Sequence, residues 1–304
     1  MSVPFLESVL LGAILSGTPL LYAALGEVIE ERAGIVNLGL EGVMLMGAVT
    51  SFAITVQTGS AALGVLAGAT AGSLFNLILA LLVVTRRANQ LASGLALMFF
   101  GVGLSALLGA PYIGSRIAGL NPLEIPTLAH LPYLGALFRS DILVYLAMPA
   151  AALVWWGLFR TRWGLSLRAV GENPTAAYAA GYSPRAIQYQ ALFIAGLFGG
   201  IAGAELSIGI AKTWAEWMTA GRGFIAVALV IFSRWHPLRT VWGAVLFGGA
   251  VALQLQLQAR GASVSPFLLD TLPYLLSLGV VLIWAGGRHH AAPASLGRVF
   301  EGTE

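Results

Sequence analysis

The sequence predicts an all-α, polytopic transmembrane helical bundle of about eight spans, with broken helices and two weakly repeated halves. Three observations carry this. The 304 residues are 58% hydrophobic before the 38 glycines are counted, only 10% are charged, and mean hydropathy is +0.85. A soluble domain is about 25% charged and would have to expose this apolar excess as aggregating patches. The charges are also segregated, leaving long charge-free windows. Soluble globular enzymes, disordered chains and nucleic-acid binders are excluded, and lipid is the solvent.

A crossing helix needs about 20 mostly apolar residues. Ser8 to Gly26 fits one. The start of the chain, MSVPFLESVLL, has no basic n-region or small-residue cleavage site, so this stretch reads as a retained span. Gly42 to Thr85 is long enough for two, with Gln57-Thr58-Gly59-Ser60 as the turn. Ala88 to Ser115, Ile142 to Phe159 and Ala186 to Ala204 each hold one. Gly223 to Ser233 is too short to cross alone and reads as a discontinuous element. Thr240 to Ala259 and Thr271 to Gly287 complete the set.

Arginines orient the spans. Arg86–Arg87, the loop with Arg160, Arg162, Arg168 and Arg185, the Arg234–Arg239 turn, and the tail with Arg288 and Arg298 alternate with opposite-facing connections. Under the positive-inside rule these four regions are cytoplasmic. The C-terminus is then cytoplasmic, the N-terminus external, and the Pro111–Asp141 loop outside. The whole chain, 1–304, forms one transmembrane domain with a cytoplasmic loop over 160–185 and a cytoplasmic tail over 288–304. Gly64, Gly68 and Gly72, and Gly199 and Gly203, repeat every fourth residue, a pattern that lets helices approach closely in lipid.

Three segments interrupt the apolar pattern. From Gly26 to Gly42, four acids and Arg32 are mixed with Gly34, Gly39 and Gly42, which loosen any helix. Non-helical backbone at membrane depth must be buried in protein or line a wet cavity. Asn37 and Glu41 would share one face of a helix, and an intramembrane carboxylate marks a functional site or a structural hydrogen bond to neighbouring backbone. From Arg160 to Arg185, Asn173 is an N-cap before Pro174, and Ala176 to Ala180 make a short helix ended by Gly181. A small Ala-rich helix suits a knob seated in a partner's groove. From Gly221 to Pro237, a half-helix opens after glycine and ends in a charged turn, echoing the Gly34–Met46 region.

Asn76, Asn89, Gln90 and Ser93 add polar groups within or at the start of spans. They suit either a polar solute or interhelical hydrogen bonds. Gln254 and Gln258 share a helical face. Glu205, Lys212 and Glu216 are expected at the interface. The chain has no cysteine, His236, His289 and His290 follow no metal spacing, and no cofactor is expected. The one lysine, Lys212, lacks the Gly-Lys-Ser/Thr ending of a phosphate-binding loop. Hydrolase patterns are missing too, so a membrane enzyme is disfavoured.

The run Glu31-Arg-Ala-Gly-Ile-Val-Asn-Leu-Gly-Leu-Glu-Gly-Val-Met-Leu-Met-Gly-Ala48 resembles the signature of permease subunits of ABC importers for nucleosides and simple sugars. Arg168-Ala-Val-Gly-Glu-Asn-Pro174 with Ala176, Ala177 and Gly181 resembles their cytoplasmic coupling loop. Gly223-Phe-Ile-Ala-Val-Ala-Leu-Val-Ile-Phe and Trp235-His-Pro match a third block. The wider family includes ribose and branched-chain amino-acid permeases, and the nearest branch is the nucleoside importers served by basic-membrane-protein-type lipoproteins.

The resemblance implies a non-enzymatic subunit of the inner (cytoplasmic) membrane. Its expected partners are a cytoplasmic ABC ATPase, a second homologous permease in a heterodimer, and an extracytoplasmic substrate-binding lipoprotein. Nucleosides are the expected solute; simple sugars or branched-chain amino acids are the alternatives, and a stand-alone secondary transporter is the other class. The expected pathway residues are Asn37, Glu41, Asn76, Asn89, Gln90, Ser93 and Phe224. The expected coupling residues are Arg168, Glu172, Asn173, Pro174, Ala176, Ala177 and Gly181. Thr175 stands where the wider coupling motif has Glu before Ala-Ala. ATPase docking is therefore expected to rest on shape and on Glu172 and Arg168.

Overall fold

A computed structural model describes residues 5–126, 138–261 and 292–298, with isolated positions between 265 and 282. The expected span from Thr271 to Gly287 and most of the tail lie outside the described residues. Seven helices among those described are long and apolar enough to cross a membrane. They are α1 (Phe5–Arg32), α2 (Leu40–Thr58), α3 (Ala61–Ala80), α4 (Gln90–Gly109), α5 (Ile142–Arg160), α8 (Pro184–Ala204) and α10 (Pro237–Ala259). Shorter helices are α6 (Arg162–Glu172), α7 (Pro174–Ala179) and α9 (Arg222–Ser233). The outer loop contributes a two-stranded antiparallel ribbon, β1 (Leu123–Glu124) with β2 (Arg139–Ser140).

Local chemistry sets the ends. Gly59 takes the left-handed conformation that closes α2, and Ser60 caps α3 through Leu63 N–H. Asn89 caps α4, and Asp141 caps α5 through the amides of Leu143 and Val144. α3 and α8 each pass into a π-helical turn, Leu81–Thr85 and Glu205–Ala211.

One correction concerns α1. It does not stop near Gly26. It runs on through Glu27, Glu30 and Glu31 to Arg32, and these carboxylates are buried inside the bundle. Spacings of three and four place Glu27, Glu30 and Glu31 on one inward face. The break falls instead at Ala33–Gly39, where Gly34 has positive φ.

Helices α2, α3 and α8 meet along a glycine seam. A Cβ on Gly200 would strike Gly68 O and lie 2.8 Å from Ala69 Cα. Such contacts replace the hydrophobic drive that lipid cannot supply. On the other side α1 packs antiparallel to α10, with Gly17 against Ala244 and Gly12 against Ala252.

The arginine-bearing regions gather at one end of the bundle. The Arg32 and Arg168 guanidinium groups lie 5.7 and 5.0 Å from the Phe159 ring centroid, and Arg32 Nε donates to Trp235 O at 3.1 Å. The tail joins them through Ser295 and Gly171.

Candidate functional site: a polar web at the α1–α2 break

The break exposes backbone groups inside an apolar bundle, so each needs a partner. Ala33 O accepts from Gln188 Nε2 of α8 at 3.3 Å, and Gly34 O from Gln90 Nε2 of α4 at 3.3 Å. Val36 N–H donates to Gln90 Oε1 at 2.8 Å. Asn37 N–H donates to Glu27 Oε1 at 3.1 Å, and Gly39 N–H donates to Asn37 Oδ1 at 2.8 Å.

Asn37 and Asn76 form the hub. Asn37 Nδ2 donates to Asn76 Oδ1 at 2.9 Å. Asn76 Nδ2 donates to Leu192 O of α8 at 2.8 Å and to Glu30 Oε1. Glu31 accepts from the indole N–H of Trp235. Glu27 Oε2 and Glu30 Oε2 are buried without a hydrogen-bond partner. The web thus ties α1, α3, α4, α8 and the α9–α10 turn to a short unwound segment.

Glu41 opens a second node. It lies in the first turn of α2 and is 1% exposed. Its Oε1 accepts from Gly221 N–H at 2.7 Å and from the Thr219 hydroxyl, and its Oε2 accepts from Gly223 N–H at 2.6 Å. These amides are the orphan donors at the start of α9. Glu41 therefore caps one half-helix while sitting at the N-terminus of another, where two dipoles favour negative charge. A Cβ on Gly223 would lie 2.6 Å from Glu41 N, so only glycine allows this approach.

Of the expected pathway residues, Asn37, Asn76 and Gln90 come together in the web, Glu41 adjoins it, and Ser93 is buried one turn from Gln90. Asn89 is an exposed N-cap, and Phe224 is 38% exposed on the outer side of α9. Asn37 and Glu41 do not share a helical face, because Gly39 ends the break and α2 begins only at Leu40. Sequence reasoning placed Glu27, Glu30 and Glu31 in the interrupted segment without assigning them to the site, and missed Gln188, Thr219 and Trp235. Their partners lie up to 204 residues away, and no local pattern reports that. Glu205, expected at the interface, is fully buried in the π-helical turn that follows α8, against Gly209 and beside Asp141.

The basic loop folds as its residues dictate. Asn173 Oδ1 accepts from Ala176 N–H at 3.0 Å, Pro174 starts α7, and Gly181 takes positive φ (+88°) just beyond it. Ala177 is buried; Tyr178 and Tyr182 are exposed. Arg168 lies over Phe159, and Glu172 Oε2 accepts from Ala294 N–H at 3.2 Å. The same end holds His236, stacked on Phe159 at 5.4 Å. Burial, followed by the charges of Arg239 and Arg32, holds its imidazole below the usual histidine range.

Among the described residues no group of His, Cys, Asp or Glu has metal-binding geometry. A family model described as "Branched-chain amino acid transport system / permease component" matches residues 9–285. The chain belongs to that family. It is similar to the "Putative glucose ABC transporter permease protein" of Haloferax volcanii, at 41% identity over 86% of this chain and 81% of that one. It is 36% identical to the "Guanosine ABC transporter permease protein" of Bacillus subtilis, over 83% of each chain. It is 33% identical to the "Nucleoside ABC transporter permease protein" of Lactococcus lactis subsp. cremoris, over 92% of this chain and 93% of the relative. The protein is an ABC transporter permease, a multi-pass membrane transport component rather than an enzyme.

Proposed function

We propose that this permease moves nucleosides inward across the cytoplasmic membrane by alternating access, with a separate ATPase supplying the energy. The carrying observation is the polar web at the α1–α2 break. It gathers buried side-chain amides, each bonded to a protein partner, beside a half-helix terminus, and a neutral hydrogen-bonding solute could enter by exchanging those bonds. Likeness to permeases named for guanosine and for nucleosides supports the same reading. Asn37, Glu41, Asn76, Gln90 and Ser93 border the path. Asn89 and Phe224 contribute from the bundle surface, where a second, homologous permease would close over them.

The coupling element is α7 with its cap, Asn173–Gly181, which presents Tyr178 and Tyr182 to a cytoplasmic ATPase. Arg168 and Glu172 shape its base. An extracytoplasmic lipoprotein delivers the solute to the opposite end. A second reading, import of a simple sugar, is favoured by the 41% identity to a permease named for glucose.

The test is uptake by the assembled importer in proteoliposomes, with ATP inside on the ATPase face. Radiolabelled guanosine should be taken up only with ATP, ATPase and binding protein present. Glucose uptake in its place would select the sugar reading. Uptake by this chain alone would reject the importer-subunit reading altogether.

A further inference from the structure

The tail segment 292–298 lies in a groove between three parts of the site rather than running off the surface. Ser295 N–H donates to Gly171 O at 3.0 Å, and Ser295 Oγ donates to the same carbonyl at 2.6 Å. Ala294 N–H donates to Glu172 Oε2 at 3.2 Å. These bonds hold the C-terminal turn of α6, immediately before the Asn173 cap of α7. On its other side, a Cβ on Gly34 would strike Ser295 Oγ. Arg298 O accepts from Gln90 Nε2 at 3.0 Å, the same amide nitrogen that donates to Gly34 O. The segment is wound into turns by Leu296 N–H to Pro293 O and Arg298 N–H to Ser295 O, and Pro293 and Ser295 are buried.

Three backbone elements therefore converge on about six residues of tail: the end of α6, the unwound stretch at Gly34, and the first turn of α4 at Gln90. Gln90 also bonds the break directly, through Gly34 O and Val36 N–H, and the Gly34 and Gly171 backbones touch, so the tail adds a polar tie between α6 and α4 to these contacts. A Cβ on Gly171 would strike Arg32 O, which marks one close backbone approach. Among the described residues, the hydrogen bonds that connect α6 with Gln90 run through the tail.

We propose that residues 293–298 are a strap that makes the coupling loop and the α1–α2 break move as one body, with Ser295 as its positioning residue. This rests on the reading of α7 as the element driven by the ATPase. A push on α7 displaces Gly171 and Glu172. The strap carries that displacement to Gly34 and Gln90, and so to the web around Asn37. Without the strap, α7 still meets the ATPase, but its movement is taken up as slack before it reaches the break.

The experiment measures guanosine imported per ATP hydrolysed by the full assembly in proteoliposomes, with ATPase co-purification as the assembly control. Ser295→Ala removes one hydroxyl and is expected to lower the ratio by about three- to tenfold, the scale of one buried hydrogen bond, with the ATPase still bound. A chain ended at residue 292 should lower it further. If the shortened chain fails to assemble, Ser295→Ala decides. An unchanged ratio, whether both rates hold or both fall together, overturns the strap. The underlying reading fails separately, on Ala177→Asp: if ATPase co-purification and ATP-driven uptake survive that disruption of α7, the coupling assignment itself is wrong.

Discussion

Replacing Glu41 by glutamine keeps the shape of the side chain but leaves one acceptor oxygen where two now serve three donors. Gly221 N–H, Gly223 N–H and the Thr219 hydroxyl all point at this carboxyl group, with backbone distances of 2.6–2.7 Å. A hydrogen bond to a charged group is worth about 1.5–3 kcal/mol net, and a buried donor left without a partner costs about 1–3 kcal/mol. Loss of dipole stabilisation at two helix starts adds about 0.3–1 kcal/mol each. The expected cost is about 2–5 kcal/mol for Glu41→Gln and more for Glu41→Ala. At about 2–4 °C per kcal/mol for a sizeable chain, the unfolding midpoint should fall by about 4–20 °C. Tryptophan fluorescence of the detergent-purified protein during heating reads this, and Thr219→Val, which removes one donor, should fall by less than Glu41→Gln. If Glu41→Gln melts within about 1 °C of the parent, the half-helix cap is not the stabilising contact the geometry describes.

Asn76→Ala should cost about 2–3 kcal/mol or more, because it strands Glu30 Oε1 and Asn37 Nδ2 and removes a second bond to Leu192 O; the midpoint and ATP-driven uptake should fall together. Gly200→Ala drives a methyl into Gly68 O and Ala69. An overpacking cost of about 1–3 kcal/mol should broaden the size-exclusion peak and lower the midpoint. His236 has its folded pKa below the unfolded value of about 6.5, so protonation favours the unfolded state. Its contribution to stability is full above that unfolded pKa and is lost as pH falls below it. Midpoints measured from pH 7.5 down to pH 5 should show this slope, and His236→Phe should flatten it. Asn173→Ala removes the cap of α7, at a cost of about 1 kcal/mol, and should weaken ATPase co-purification while the bundle's midpoint stays put.

Much of the bundle was legible because its spans are bounded by charge. Thr58-Gly59-Ser60 and Asn173 state their turn and cap in local chemistry, and the structure puts helix ends there. The short Gly223–Ser233 element was legible by length alone. The same rule failed at Gly26, because a charge was read as a boundary. Glu27, Glu30 and Glu31 continue α1 since distant groups receive them: Asn76 and Trp235 lie 46 and 204 residues on. The Asn37–Glu41 face argument failed for a local reason, as Gly39 places the two residues on opposite sides of a helix start. The burial of Glu205 was not legible because the widened π-helical turn that seats it leaves no periodic trace. Tail residues 293–298 have no motif of their own, and their role arises only from what they touch.

The carboxylates of α1 also bear on biogenesis. The last turn of that helix leaves the ribosome early, yet the indole that receives Glu31 is synthesised some two hundred residues later. Until then a translocon must hold a segment with three acids and few local partners, an unfavourable setting for carboxylates at the end of a span. Settling of the first helix therefore belongs to a late stage of insertion, and truncated nascent chains should show its final turn still open to water.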